Sequence, residues 1–71
     1  MTKTEKPISI IVPVYNEEWS IRPLYGKLLR ALANYNLREI IFVDDGSTDG
    51  TGKSLEELAS QEDIVRVIYF P

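Results

Sequence analysis

Two apolar runs limit what this chain can become. Ile40-Ile41-Phe42-Val43 stops abruptly at Asp44-Asp45-Gly46-Ser47, and Ile8-Ser9-Ile10-Ile11-Val12-Pro13-Val14 empties into Tyr15-Asn16-Glu17-Glu18. Short runs rich in β-branched and aliphatic residues are the signature of buried parallel strands. Open α/β sheets bind ligands beyond the carboxyl ends of such strands. Two strands that deliver acids at those ends therefore imply one crevice, floored by both loops.

Between the runs the apolar period changes. Ile21, Leu24, Tyr25, Leu28, Leu29 and Leu32 recur at helical spacing, with Ser20 placed to cap the helix and Pro23 tolerable in its first turn. Asn16 is a candidate cap for a preceding turn, and Asn34 and Asn36 mark the helix exit. The second strand is expected from about Glu39 to Asp44. Gly46 to Gly52 reads as a turn in which Ser47, Thr48 or Asp49 caps a second helix. Leu55, Leu58 and Ala59 form that helix's buried edge, and Ile64 to Phe70 is a third strand.

Strands alternating with amphipathic helices give an α/β fold: a three-stranded parallel sheet in the order β-α-β-α-β with right-handed crossovers. Residues 1–7 read as a polar lead-in and 8–71 as a partial domain truncated after its third strand. A sheet this small has two bare edges, which natural domains rarely leave uncovered. The expectation is a fragment, with self-association through the first strand's edge.

Composition removes several functions. The net charge is −3 and the eight Lys and Arg residues are scattered, so nucleic acid is not an expected partner. Cysteine and histidine are both absent, which leaves acid–base or metal work to carboxylates. No apolar stretch reaches the roughly 18 residues of a membrane span, and the lead-in is not a secretory signal. A cytoplasmic setting is the default expectation.

The Asp44-Asp45 pair has two readings. One carboxylate at the strand end can accept from a base N–H or from ribose hydroxyls; alternatively, both acids only start the turn and favour the next helix N-terminus. Gly46 to Ser54 ends in Gly-Lys-Ser between strand and helix, like a phosphate-binding P-loop. The spacing fails, because Ser47 stands where the P-loop's first glycine belongs. The plainer reading leaves Lys53 on a solvated helix face. Tyr15 can pack on a base and Glu17 can accept from ribose, although tyrosines at strand ends are often rim residues. Trp19 is expected to cover the sheet edge or the first helix, and Glu56-Glu57 and Glu62-Asp63 to be solvated surface.

Taken together, Ile11 to Glu17 (Ile-Val-Pro-Val-Tyr-Asn-Glu) and Val43 to Thr51 (Val-Asp-Asp-Gly-Ser-Thr-Asp-Gly-Thr) resemble the start of the family 2 inverting glycosyltransferases. Within them the likeness is to the branch that moves a sugar from a nucleotide-sugar to a polyprenyl phosphate, such as the dolichol-phosphate mannose synthases. The resemblance implies the N-terminal, nucleotide-binding half of a GT-A, Rossmann-like fold, with strand order 3-2-1; the alternative is 2-1-3. It implies that Pro13, Tyr15 and Glu17 contact base and ribose, and that Asp45, with Asp44 as competitor, accepts from the base N–H. The partner implied is a nucleotide-sugar or nucleoside diphosphate, and the setting of the parent enzymes is the cytoplasmic face of a membrane. The family's Asp-x-Asp motif, which binds Mg2+ or Mn2+, and its catalytic base have no counterpart in these 71 residues. The chain itself is thus expected to carry no cofactor, no metal site and no catalytic residue.

Overall fold

The computed structural model describes residues 5–71, so positions 1–4 of the expected lead-in lie outside the described residues. The chain runs β1 (Pro7–Val14), α1 (Ile21–Ala31), β2 (Asn36–Asp45), α2 (Thr51–Gln61) and β3 (Val65–Phe70). The strands form one sheet in the order β1-β2-β3, with both pairings parallel. This is the expected α/β architecture, and of the two strand orders it is 3-2-1 that forms.

Each crossover advances one strand in the same direction. If both share the right hand that βαβ units adopt, their helices must land on one face of the sheet. They do. Ile21 and Tyr25 from α1 and Leu55 and Leu58 from α2 join Val14, Ile40, Phe42 and Val65 in a single core, flanked by the half-buried Ile10, Val12 and Val67. All these strand residues share one side of the pleat, because side chains alternate along a strand. Phe42, Ile40, Ile21 and Leu55 are fully buried. The opposite face of the sheet carries Ile11, Pro13, Ile41, Val43, Ile68 and Phe70, of which Ile11 is 67% exposed.

Several boundaries differ from the sequence expectation. β1 begins at Pro7, inside the lead-in, and β2 begins at Asn36, three residues early. Pro7 and Ile8 pair with Asn36 and Leu37, and the register then shifts so that Ser9 faces Glu39. Arg38 is the extra residue of this irregularity, which hides the strand's start from a period-two reading. Asn36, expected at the helix exit, instead anchors β2 by donating its side-chain amide to the Glu5 carbonyl (2.9 Å). Pro13 is accommodated because β1 is an edge strand.

The helix ends also differ from the sequence expectation. Ser20 stands at the N-cap of α1 but makes no side-chain capping bond, and only its carbonyl accepts, from the Leu24 N–H (2.9 Å). Leu29, counted in the apolar stripe, is 38% exposed. The N-cap of α2 is Gly50, not Ser47, Thr48 or Asp49. Asp49 sits one residue earlier and accepts from the Thr51 N–H (2.9 Å), so it satisfies one of the helix's orphan donors from outside the helix.

A part-buried polar contact ties α1 to the end of α2. The Tyr25 hydroxyl, at the core's rim, donates to Glu62 just past α2 (3.0 Å). Burial, reinforced by the Glu62 carboxylate, raises the phenol pKa above 10.0. A folded-state pKa above the unfolded one means that this contribution is whole below pH 10. It is lost as pH climbs through the folded value. Urea midpoints measured from pH 8 to pH 11 should therefore fall more steeply for the parent chain than for Tyr25→Phe. The variant should be weaker at pH 8 by about 1 kcal/mol, the net worth of a hydrogen bond.

Candidate functional site

The carboxyl ends of β1 and β2 are locked together by one side chain. Asn16, just past β1, accepts at Oδ1 from the Thr48 N–H (2.8 Å) and the Asp49 N–H (3.4 Å). Its backbone N–H donates to Ser47 Oγ (2.9 Å). Asn16 adopts φ 50°, a left-handed conformation that asparagine tolerates better than most residues. Sequence reasoning placed Asn16 only as a turn cap. The signal available was its type: a short carboxamide able to take positive φ while bonding backbone amides, opposite a loop of small hydroxyl residues.

A second clasp lies deeper. The fully buried Thr51 hydroxyl accepts from the Glu17 N–H (2.8 Å) and donates to Asp49 Oδ1 (2.5 Å). The bond from the Thr51 hydroxyl is the chief cause that holds the Asp49 carboxyl below its ordinary range. Gly46 at φ 72° makes the turn out of β2, where a side chain would be strained. Gly50 lets the Glu18 side chain pass so closely that an added Cβ would overlap its carboxylate.

The two adjacent aspartates part company, as alternation along a strand requires. Asp44 is buried on the helix side, and its Oδ1 accepts from the Ser47 N–H (3.1 Å). Asp45 is exposed, and its carboxylate makes no hydrogen bond within the described residues. Val14 pairs with Asp44 in the ladder, so Tyr15 and Asp45 each follow that pair by one residue. Tyr15 is 55% exposed. The structure thus gathers Pro13, Tyr15 and Asp45 at the open end of β1 and β2, and assigns Asp44 to the turn.

Glu17 shares a cleft with Pro13 but not with Tyr15 or Asp45. Together with Pro13, Val14, Trp19, Ser20, Pro23, Leu24 and Lys27 it lines a cleft of about 380 Å³ between β1 and α1. Trp19 covers neither the sheet edge nor the helix as expected: it is 86% exposed at the cleft's rim.

The loop from Gly46 to Gly50 cannot cradle phosphate as it stands. A P-loop binds phosphate through free backbone N–H groups. Here the Ser47, Thr48, Asp49 and Thr51 N–H groups are taken by Asp44, Asn16 and Asp49. Lys53 is exposed on α2. The acidic side chains of this end are dispersed. Asp44 and Asp45 face opposite sides of the sheet, the Asp49 carboxylate is held by Thr51, and no three acidic side chains gather to hold an ion among the described residues.

Residues 9–71 match the sequence profile of Glycosyl transferase family 2. The chain belongs to that family. It is 42% identical over 57 residues to the undecaprenyl-phosphate 4-deoxy-4-formamido-L-arabinose transferase of Proteus mirabilis, covering 79% of this chain and 18% of that protein. To the dolichol-phosphate mannosyltransferase of Saccharomyces cerevisiae it is 40% identical over 62 residues, 84% of this chain and 23% of the relative. To the UDP-N-acetylglucosamine–dolichyl-phosphate N-acetylglucosaminyltransferase of Methanococcus voltae it is 44% identical over 54 residues, 76% of this chain and 20% of the relative. The chain therefore spans about a fifth of the length of these relatives.

The two clasps can be separated by substitution. Asn16→Gly keeps the positive φ but removes the carboxamide, whereas Asn16→Ala loses both. Equilibrium urea unfolding should rank them parent, then Gly, then Ala, with the Ala variant about 1–2 kcal/mol below the parent. Thr51→Val strands the Glu17 N–H beside a buried methyl group and should cost about 1–3 kcal/mol.

Proposed function

We propose that this chain is the nucleotide-sugar-binding segment of a family 2 glycosyltransferase whose acceptor is a polyprenyl phosphate. The observation that carries this reading is Asp45: an exposed carboxylate with no partner among the described residues, beside Tyr15 at the carboxyl ends of β1 and β2. That is where open α/β sheets take nucleotides. The acceptor class rests on the relatives, whose names specify undecaprenyl or dolichyl phosphates.

In this reading a nucleobase packs on the Tyr15 ring and against Pro13, and its imino N–H donates to Asp45. Glu17 accepts from ribose where the loop turns toward the β1–α1 cleft. Asp44 acts indirectly, by holding the Ser47 amide and so the shape of the turn. The donor's sugar and diphosphate extend past these residues. Cation ligands and a base for the acceptor belong to other parts of a complete enzyme, because the acids here are dispersed or already bonded.

Calorimetric titration with uridine and guanosine diphosphates, with and without magnesium, tests the binding step. Weak, base-dependent binding is expected, reduced about tenfold or more in Asp45→Ala and unchanged in Lys53→Ala. Binding indifferent to the base and lost in Lys53→Ala would instead favour a phosphate-binding loop.

The 71 residues alone should transfer no sugar. Positioning of reactants is worth about 7–11 kcal/mol of barrier, and electrostatic stabilisation of the leaving diphosphate adds several more. Contacts from Tyr15, Glu17 and Asp45 hold the nucleotide equally in ground and transition states, so they cannot supply that difference. Incubation with labelled nucleotide-sugar, polyprenyl phosphate and magnesium should give no product above a protein-free control. Transfer abolished by Asp45→Ala would assign chemistry to this segment.

A further inference from the structure

The backbone that carries Glu17 is held on both sides of the residue. Its N–H donates to Thr51 Oγ1 (2.8 Å), and its carbonyl accepts from the Ser20 N–H (2.9 Å). The N–H of Asn16 before it donates to Ser47 Oγ (2.9 Å), and the carbonyl of Glu18 after it accepts from Ser54 Oγ (3.3 Å). The Glu17 carboxylate, in contrast, is exposed and has no hydrogen bond among the described residues. A free carboxylate on a fixed backbone is a pre-organised acceptor, provided that the groups behind it hold.

Among those groups Thr51 stands apart. Water reaches the half-buried Ser47 and Ser54 and can replace their hydroxyls, but Thr51 is fully buried. A hydroxyl donates one proton and accepts on its lone pairs, and its hydrogen turns about the C–O bond. Left alone, the Thr51 hydroxyl could turn its proton toward the Glu17 N–H and lose that bond. Asp49 prevents this. Its Oδ1 takes the Thr51 proton, so only lone pairs face Glu17. The Thr51 N–H donates to the same Oδ1 (2.9 Å) and keeps the carboxylate in place. The result is a relay of fixed direction, from the Glu17 N–H through the Thr51 hydroxyl to the Asp49 carboxylate. Because Thr51 is buried, it can act on a ligand only through Glu17.

We propose that Thr51, oriented by Asp49, is a positioning residue for ribose recognition, setting the place from which the Glu17 carboxylate accepts from ribose hydroxyls. This role rests on the nucleotide-binding function proposed for the chain. Its consequence is selective. Loosening the Glu17 backbone weakens the contact to ribose and spares the contact of the base with Asp45, which sits on β2 and takes no part in the relay. A general loss of structure would weaken both.

Calorimetric titration of the 71-residue chain with uridine and guanosine diphosphates, and with their 2′-deoxy and 3′-deoxy counterparts, tests the proposal. The parent chain should favour the ribose form over at least one deoxy form by about tenfold, the worth of a hydrogen bond to a charged group. Glu17→Ala should erase that preference. Thr51→Val should erase it too, while its preference between the bases stays that of the parent. Thr51→Ser keeps the hydroxyl and should keep the preference. Asp49→Ala should lower it, and this exposed position carries the test if circular dichroism shows Thr51→Val unfolded. Either change added to Glu17→Ala should alter the ratio no further. Folded Thr51→Val, or in its place Asp49→Ala, with the parent's ribose preference overturns the proposal and leaves the nucleotide-binding function standing. Equal loss of ribose and base preference also overturns it, since Thr51 would then support the whole loop. A parent chain that binds no nucleotide, or whose ribose preference survives Glu17→Ala, overturns the ribose contact itself and the proposal with it.

Discussion

The handedness of two successive crossovers governs this molecule. Both connections step one strand in the same direction, so a shared hand stacks α1 and α2 on one face. The core then forms on that face alone, with Phe42 and Ile40 of the central strand beneath both helices. The cost is a second face without cover, on which Ile11 and Ile68 remain exposed. A chain of this size buries only about 60% of the surface its unfolded form exposes, so one-sided packing leaves a thin margin of stability. Polar clasps at the strand ends matter more here than they would in a two-sided domain.

Those clasps also decide what the loop after β2 can do. Its sequence, Gly46-Ser47-Thr48-Asp49-Gly50, has the composition of an anion-binding turn, and its position between strand and helix is that of one. Asn16 and Asp44 occupy its amides with oxygens from the chain itself. The loop is a shelf whose amides are already bonded, and its neighbour Asp45 is the exposed carboxylate beside it. Whether a glycine-rich turn binds anions therefore depends on which acceptors already face its N–H groups. Spacing alone is a weak guide.

Much of this was legible in the residues. The run Ile40 to Val43 ending in acids announced a buried parallel strand, and the 3.6-residue spacing of Ile21, Leu24, Tyr25 and Leu28 announced a helix beside it. The split between Asp44 and Asp45 followed from alternation, but which acid faced outward did not. That required knowing that both helices lie on the side of Ile40 and Phe42, a property of topology. The early start of β2 was hidden by the irregularity at Arg38, where one extra residue breaks the alternation. Trp19 was misjudged because a large aromatic residue is usually covered. Here it stands at the rim of the cleft between β1 and α1, and neither element covers it.

The same topology explains why the site is divided. Residues on the sheet's open side, Pro13 and Asp45, meet Tyr15 at the strand ends. Glu17 is carried around the turn, where its carbonyl accepts from the Ser20 N–H (2.9 Å) and its own N–H is fixed by Thr51. Its carboxylate thus belongs to the flank between β1 and α1. A ligand that used both Asp45 and Glu17 would have to cross the end of β1 with Tyr15 between them. A base joined to a ribose carries an imino donor at one end and hydroxyls at the other. A free phosphate has neither the length nor the donors, and would meet carboxylates at both points. On the function proposed above, the charge of the site selects for the nucleoside portion of a nucleotide-sugar, and leaves its diphosphate to be neutralised elsewhere.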